Sequence, residues 1–418
     1  MVNFLLDINP GSTGFMLVCT SLVMLMTPAL AFFYGGLATK RNILGIMTQS
    51  FVSLGWSTIL WFVCGYSLCF SGSIAEGNDF FGILGNFGKA FFNGIDANSV
   101  FAGNGEIPEF VFIAFQMMFA IITPALITGA FVNRVSFKAF FIFLTAWQFF
   151  VYYPFCHMVW GGGLLAEWGV LDFAGGIVVH ATAGFAALAS VFFVGARTDK
   201  NSTPNSIPLV AIGTGLLWFG WYGFNAGSEL KVDGITANAF LNTDVAASFA
   251  LFTWMVIEWI RQRKPKFVGI LTGSIAGLAT ITPCAGFVPL WAAPIIGICA
   301  GAGCYLAVEL KNHRNWDDAL DVWGVHGIGG VIGTILLGVF AMKSVNPNGA
   351  DGLITGEFTF FGKEVVSVVI ASVYAFVFTY LLLWVINKIT PVRISKDDEL
   401  QGIDASIHGE KAYDEGCL

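Results

Sequence analysis

Long apolar segments recur through this 418-residue chain, and they limit its possible folds more than any other feature. A helix needs about 20 mainly apolar residues to cross the hydrocarbon core of a bilayer. By that criterion the sequence contains eleven candidate spans, at about 13–37, 43–70, 109–132, 138–160, 172–195, 207–228, 243–261, 267–283, 289–309, 321–342 and 363–388. Hydrophobic residues make up 56% of the chain and charged residues 11%, which excludes a soluble domain. The sequence therefore predicts an all-α polytopic membrane protein.

Basic residues are unevenly divided between the two sets of loops that eleven spans would create. Of the twenty lysines and arginines, one side receives only Lys89, Lys231, Lys343 and Lys363. Lysine and arginine are retained on the cytoplasmic side of a membrane. We therefore expect a plasma-membrane protein with its N-terminus outside and its C-terminus in the cytoplasm.

Two of the apolar segments each carry an aspartate and a histidine at the same spacing. They are Asp172 and His180 in LDFAGGIVVHATAG, and Asp318 and His326 in DALDVWGVHGIGG. Ionisable groups are costly within a bilayer unless they face a protein interior or a pore, so they indicate function. Eight residues of helix place each histidine roughly 12 Å from its aspartate, toward the middle of the membrane. The two imidazoles can therefore meet there.

The predicted topology makes these two segments run in opposite directions, because the fifth span starts outside and the tenth starts inside. Two five-helix halves related by an axis in the membrane plane are a common transporter architecture. We expect a membrane domain over residues 1–388, with inverted halves at about 13–195 and 207–342 and a final helix at 363–388. Residues 389–418 would form a cytoplasmic tail. The eight cysteines form no CxxC pair and are expected to be free thiols, and no metal site is predicted.

Several longer motifs resemble the Amt/Mep group of ammonium transporters. In chain order they are TPALAFFYGGL, AFQMMFA, HMVWGGGLLAEWGVLDFAGGIVVH, GWYGFNAGS, DVWGVHGIGG and GIDASIHGEKAY. The resemblance covers nearly the whole chain. It implies a transporter of ammonium or ammonia and not an enzyme, without a cofactor and without a role in nucleic-acid binding. It also implies a homotrimer whose cytoplasmic face can bind a PII-type regulatory protein.

The resemblance further implies an outer cation site formed by Phe119, Trp160 and Ser228. A tryptophan face attracts a small cation by roughly 0.5–2 kcal/mol, and a serine oxygen accepts a hydrogen bond from ammonium. The alternative is that Trp160 belongs to an interfacial aromatic belt. Below the site, the resemblance assigns a pore gate to Phe119 and Phe224.

Beyond the gate, the resemblance implies that His180 and His326 line a narrow apolar pore and serve as a proton path. The pair is expected to share a hydrogen bond and to be neutral, because desolvation disfavours the imidazolium. Asp172 is expected either to cap the fifth helix or to act electrostatically in the outer vestibule. Asp318 is expected to be a cap or a solvated loop charge at the cytoplasmic end of the tenth span.

These residues suggest a mechanism in which ammonium is recruited outside, deprotonated, and conducted as ammonia with or without its proton. Potassium has no proton to lose and would face the full desolvation cost of a dry pore. A Rhesus-type gas channel is an alternative, although that branch lacks the outer tryptophan and serine. An ammonium sensor is another alternative, although such sensors carry a fused output domain. The motifs argue against an unrelated secondary transporter.

Overall fold

The computed structural model describes residues 8–199 and 203–413. Within these ranges the chain forms eleven long helices, α1 to α11, with bounds Pro10–Leu37, Ile43–Phe70, Glu109–Ala130, 137–160, Gly176–Val194, Ile207–Glu229, Gly234–Gln262, Phe267–Ile281, Ala292–His313, Trp323–Phe340 and Phe358–Ile389. Ten are long and apolar enough to cross a membrane, and α8 is apolar but shorter. The predicted all-α fold and helix count are confirmed. The fifth helix begins at Gly176 and not at residue 172, because Asp172 lies in the preceding loop as its cap.

The alternating helices give the molecule two ends. The N-terminal face carries residues 8–9 and the loops 71–108, 161–175, 230–233, 282–291 and 341–357. The C-terminal face carries the loops 38–42, 131–136, 195–199, 203–206, 263–266 and 314–322, together with residues 390–413. Because α5 starts at the N-terminal face and α10 at the C-terminal face, these two helices run in opposite directions. This is the arrangement predicted for inverted halves.

Both histidine-bearing helices begin with a π-helical turn. The turns are Gly176–Ala181 in α5 and Trp323–Gly327 in α10, and they contain His180 and His326 respectively. A π-helical turn interrupts the regular backbone ladder and occurs frequently at functional sites. The two halves therefore share a local backbone irregularity at the same place.

Small residues allow α5 and α10 to cross in close contact. Gly184 and Gly330 each stand four residues after the histidine of their helix. A Cβ atom on Gly184 would lie 2.1 Å from the Cα of Gly327, and one on Gly330 would lie 2.6 Å from the carbonyl oxygen of Gly176. Neither crossing glycine can carry a side chain without moving the other helix. Packing of this kind is expected between helices in lipid, where no hydrophobic force drives helices together.

The first helices of the two halves, α1 and α6, also pack closely. A Cβ atom on Gly213 of α6 would lie 2.4 Å from the backbone nitrogen of Phe33, and one on Gly220 would lie 2.2 Å from Met26. The halves therefore meet through their first helices and their last helices. The space between these two contacts contains the candidate site.

The described part of the tail lies against the C-terminal face of its own membrane domain. Two short helices, Lys396–Gln401 and Ile403–Ser406, follow α11. The Asp404 carboxylate accepts hydrogen bonds from the first turn of α2, at 3.1 Å from Leu44 N and 2.8 Å from Gly45 N. The Glu399 carboxylate accepts 2.6 Å and 2.9 Å bonds from the backbone N–H and the hydroxyl of Thr198. The tail thus ties together two loops of this face.

Candidate functional site

An aromatic cluster lies at the end of the passage nearer the N-terminal face. The ring centroids of Phe119 on α3 and Trp160 at the end of α4 are 5.9 Å apart, and the rings are nearly perpendicular at 86°. The indole N–H of Trp160 donates a 2.8 Å bond to the carbonyl oxygen of Asp172, which fixes the orientation of the ring. Ser228, at the end of α6, donates from its hydroxyl to the carbonyl oxygen of Phe224 at 2.9 Å. Its oxygen lone pairs therefore remain able to accept a hydrogen bond.

Phe119 and Phe224 form the next layer toward the centre of the molecule. Their ring centroids are 4.3 Å apart with an interplanar angle of 36°, and both side chains are buried at 1% exposure. Phe119 therefore contacts both Trp160 above and Phe224 beside it. The structure brings these three sequence-predicted residues together, and the role of a gate stays a prediction.

His180 and His326 meet directly in the centre of the chain. Their Nδ1 atoms are 3.3 Å apart, and their rings are nearly parallel at 19° with centroids separated by 5.2 Å. Both side chains are buried. Because two ring nitrogens at this distance need one proton between them, each histidine determines the tautomer of the other. The Nε2 atom of one neutral ring then carries a proton while the Nε2 atom of the other presents a lone pair.

The histidines lie in a narrow, almost closed passage of about 10 Å³ with apolar walls. The other described residues that line it are Met26, Leu30, Phe33, Ile122, Leu126, Val179, Leu217, Trp221, Phe224 and Ile275. Beyond His326 the space widens into a vestibule of about 160 Å³ at the C-terminal face, where Arg197 and Asp321 contribute charges. An apolar passage penalises a cation that must shed water far more than a neutral solute.

Trp221 is a site residue that the sequence analysis did not identify. Its ring stacks on His180 at a centroid distance of 5.5 Å and an angle of 23°, and its indole N–H donates to the Thr282 hydroxyl at 2.9 Å. It therefore forms part of the wall and limits the rotation of the imidazole. Trp221 stands in the same GWYGFNAGS motif as Phe224, but nothing in its position distinguished it among thirteen tryptophans.

Asp172 caps α5 with both carboxylate oxygens. Its side chain is buried and accepts four backbone hydrogen bonds of 2.7–3.1 Å, from Gly175, Gly176, Ile177 and Val178. These are the amides that a helix start leaves without a partner inside the helix. The geometry thus supports the capping interpretation. Through its carbonyl oxygen, Asp172 also orients Trp160.

Asp318 is buried at 1% exposure, so the alternative of a solvated loop charge was wrong. One carboxylate oxygen accepts a 2.8 Å bond from Trp323 N, whereas the other has no partner among the described residues. Lys311 donates to the backbone carbonyl of Asp318 at 2.9 Å and to the Asp321 carboxylate at 2.5 Å. Burial raises the pKa of Asp318 to about 6, and the charge of Lys311 opposes this shift only in part. A solvated position was expected because neighbouring residues are charged, but the loop folds inward.

The adjacent residue Asp317 has a different environment. It forms an ion pair with Arg197 at 2.7 Å and lies 3.6 Å from Arg134, a fully buried arginine. Although burial opposes ionisation, the hydrogen bonds from Arg197 and the charge of Arg134 lower the pKa of Asp317 to about 2. This network anchors the loop from which α10 starts.

The described residues include no group of three or more histidine, cysteine or acidic side chains that could hold a metal ion. The eleven-helix inverted fold and the histidine-containing apolar passage define a class of membrane transport proteins. The model of the Ammonium Transporter Family matches residues 14–413, and the chain belongs to this family.

Individual relatives match over nearly their full length. An ammonium transporter of Bacillus subtilis (strain 168) is 42% identical over 407 residues, which cover 96% of this chain and 98% of the relative. The crystal structure of Saccharomyces cerevisiae Mep2 matches with a TM-score of 0.88 and 34% identity, covering 99% of this chain and 93% of Mep2. A solved structure described as a sensor Amt protein matches with a TM-score of 0.85 and 26% identity, covering 97% of this chain and 100% of that one.

Proposed function

We propose that this protein takes up ammonium across the plasma membrane by recruiting it at the N-terminal face, deprotonating it and conducting ammonia to the cytoplasm. The N-terminal face lies outside in this scheme, as the distribution of lysine and arginine favours. The observation that carries the proposal is the Nδ1–Nδ1 contact of His180 and His326 inside an apolar passage.

Recruitment uses the aromatic cluster and Ser228. The faces of Trp160 and Phe119 attract the cation, with a gain of roughly 0.5–2 kcal/mol for a desolvated cation–π contact. Ammonium donates a hydrogen bond to the oxygen of Ser228, while potassium has no proton to donate. The cluster selects for a small cation but does not by itself exclude potassium.

Selectivity against potassium arises below the cluster. The closely packed, tilted rings of Phe119 and Phe224 lie between the recruitment site and the passage, so a solute must lose its water to pass. Ammonium can give up one proton and continue as neutral ammonia, whereas a potassium ion remains charged in an apolar environment. Deprotonation therefore separates two cations of nearly equal size.

The proton released from ammonium has two possible destinations. It either returns to the outside or follows ammonia along the histidine pair, whose shared hydrogen bond links two ring nitrogens. In the second case, one Nε2 atom accepts a proton, the shared proton moves from one Nδ1 atom to the other across their 3.3 Å contact, and the second Nε2 atom releases its proton. Ammonia in the passage then carries a proton from the first Nε2 atom to the second while the shared proton moves back, which restores the starting tautomers. Net charge crosses the membrane only in the second case.

Currents and internal pH measured on protein reconstituted in liposomes test the proposal. Gradients of ammonium, methylammonium and potassium are applied in turn. We expect ammonium to enter and potassium to be excluded, with a current if the proton follows. A rise in internal pH without a current and without saturation would favour a Rhesus-type gas channel. No measurable flux of any solute through folded protein would favour a sensor.

The assembled protein is proposed to be a homotrimer that a PII-type regulator binds at the cytoplasmic face. Family membership supports the trimer. The contact of the tail residue Asp404 with the start of α2 at the C-terminal face supports regulation from that side, which is the cytoplasmic side in this scheme. Native mass spectrometry of detergent-solubilised protein gives the number of subunits. A monomer that transports at full rate would contradict the assembly.

A further inference from the structure

Glu364 is a buried carboxyl group that the proposed mechanism does not use. It lies in the second turn of α11 at 0% exposure. One of its oxygens accepts a 2.8 Å hydrogen bond from the backbone N–H of Leu171. The other has no partner among the described residues. Burying a carboxyl group with an unpaired oxygen is costly. The presence of Glu364 at this position therefore requires an explanation.

The residue that Glu364 binds is the immediate neighbour of Asp172. Leu171 donates to Glu364, and Asp172 accepts the indole N–H of Trp160 on its carbonyl oxygen at 2.8 Å. The carboxylate of Asp172 is held separately by four amides of α5. The short segment 171–172 is therefore fixed by three helices: α11 through Glu364, α5 through its first amides, and α4 through Trp160.

Glu364 lies where α10 and α11 pack closely together. A Cβ atom on Gly338 of α10 would lie 3.3 Å from the Cβ of Glu364 and 3.1 Å from the Cα of Phe361, so α10 and α11 are in close contact here. A Cβ atom on Gly169 would lie 3.2 Å from the Lys363 Nζ, so the start of α11 also lies against the loop before Leu171. The final helix, which has no counterpart in either repeat, thus supports the outer site through one hydrogen bond.

We infer that Glu364 is a positioning residue for ammonium recruitment: its bond to Leu171 holds the turn that orients Trp160. This inference rests on the proposed recruitment role of Trp160. The role requires a hydrogen-bond acceptor at residue 364 but not a negative charge. Glutamine retains the acceptor oxygen, aspartate is one methylene too short to reach Leu171, and leucine fills the space without an acceptor.

Ammonium uptake into liposomes is measured for wild type and for E364Q, E364D and E364L, with the Michaelis constant and the maximal flux determined separately. We expect E364D and E364L to raise the Michaelis constant by about threefold to tenfold with nearly unchanged maximal flux, because a misoriented indole weakens cation capture. E364Q should stay within about twofold of wild type. W160L is included as the reference for a lost recruitment site.

The variants distinguish the positioning role of Glu364 from the recruitment role of Trp160. If E364D and E364L leave the Michaelis constant unchanged while W160L raises it, Glu364 does not position the indole and the recruitment role stands. If E364Q is as impaired as E364L, the carboxyl group acts by its charge or proton and the positioning role is wrong. If W160L itself has no effect, the recruitment role fails and the positioning role fails with it. Should E364L not fold, E364D and E364Q still decide the question.

Discussion

The two aspartate-histidine segments share their spacing and the position of their histidines, but the carboxylates of their aspartates form different hydrogen bonds. Just before α5, Asp172 satisfies four amides with two oxygens. Just before α10, Asp318 satisfies Trp323 N with one oxygen, its other oxygen has no partner among the described residues, and its loop is held by Lys311 instead. The two segments therefore share the placement of their histidines but not the way in which each helix start is fixed.

The same contrast appears at the second helix of each half. The helix α7 is capped by Asp233, the residue directly before it, which accepts from Ile235 N at 2.8 Å and Thr236 N at 3.1 Å. In α2 the residue at the cap, Asn42, makes no such bond, and Asp404 of the tail takes over this function. One half thus caps its helix locally, whereas the other depends on a residue about 360 positions away in sequence.

The largest expected effect is on potassium flux, and it concerns the histidine that each half contributes. Replacing either histidine by aspartate, H180D or H326D, should let potassium pass, because a carboxylate at this depth offsets the desolvation of the cation by several kcal/mol. We expect potassium flux to rise by at least about tenfold over wild type. Potassium currents in liposomes, or rescue of cells that lack potassium uptake, measure it.

The matched control for the histidine change is H180A, which removes the imidazole without adding charge and should remain potassium-tight. If H180D stays potassium-tight while it is folded and active with ammonium, the histidines do not stand at the selective point of the passage. If H180D and H326D differ strongly, the two halves are not equivalent at the pore either.

The next effect separates the two aspartates. In D172N the amide retains one acceptor oxygen where four N–H groups need two, so at least about 2 kcal/mol of stability should be lost. D318N retains an acceptor for Trp323 and should cost less than about 1 kcal/mol. Thermal unfolding in detergent compares the stabilities of D172N and D318N. The control is D397N, which changes an exposed residue of the tail. Equal losses of stability in D172N and D318N would show that the two aspartates fix their helices to the same extent.

A smaller effect concerns ammonium recruitment. In the first half, the backbone carbonyl of Asp172 accepts a hydrogen bond from the indole of Trp160. W160L should raise the Michaelis constant for ammonium by about threefold to tenfold and leave the maximal flux nearly unchanged, because the ring acts on capture. W168L, at a partly exposed tryptophan of the same face, serves as control. A uniform loss at all ammonium concentrations, or no loss, would be inconsistent with an outer binding site.

The smallest expected effect concerns the tail. Deleting the chain from Lys396 onward should leave a folded, membrane-inserted protein with reduced transport, because this segment is too polar to belong to the membrane core. D404A should lose about 1 kcal/mol at the start of α2. The truncation should lose more than D404A, because it also removes the bonds of Glu399 to Thr198. Membrane fractionation, thermal unfolding and uptake measure these results. A truncated protein that does not insert would show that the tail is needed for folding.

Much of the fold was predictable from local patterns. Apolar length defined the eleven helices, and α8, the shortest, was found because Phe267–Ile281 is apolar throughout. The start of α5 was misplaced by four residues, since hydropathy does not distinguish a buried cap from the first turn of a helix. Motif resemblance singled out Phe119, Trp160 and Phe224, whose rings lie together. It did not single out Trp221, whose stacking on His180 depends on how α6 is rotated.

The sequence by itself determined the membrane class, the number of helices and the pairing of His180 with His326. The first two follow from the composition of continuous segments, and the third follows from the repeated aspartate-histidine spacing. Only the tertiary structure decided which polar groups are satisfied, since hydrogen-bond partners such as Asp404 with α2 or Glu364 with Leu171 lie up to hundreds of residues apart. Burial follows from the same long-range contacts. For this reason Asp318 is enclosed by its loop although its neighbours in sequence are charged.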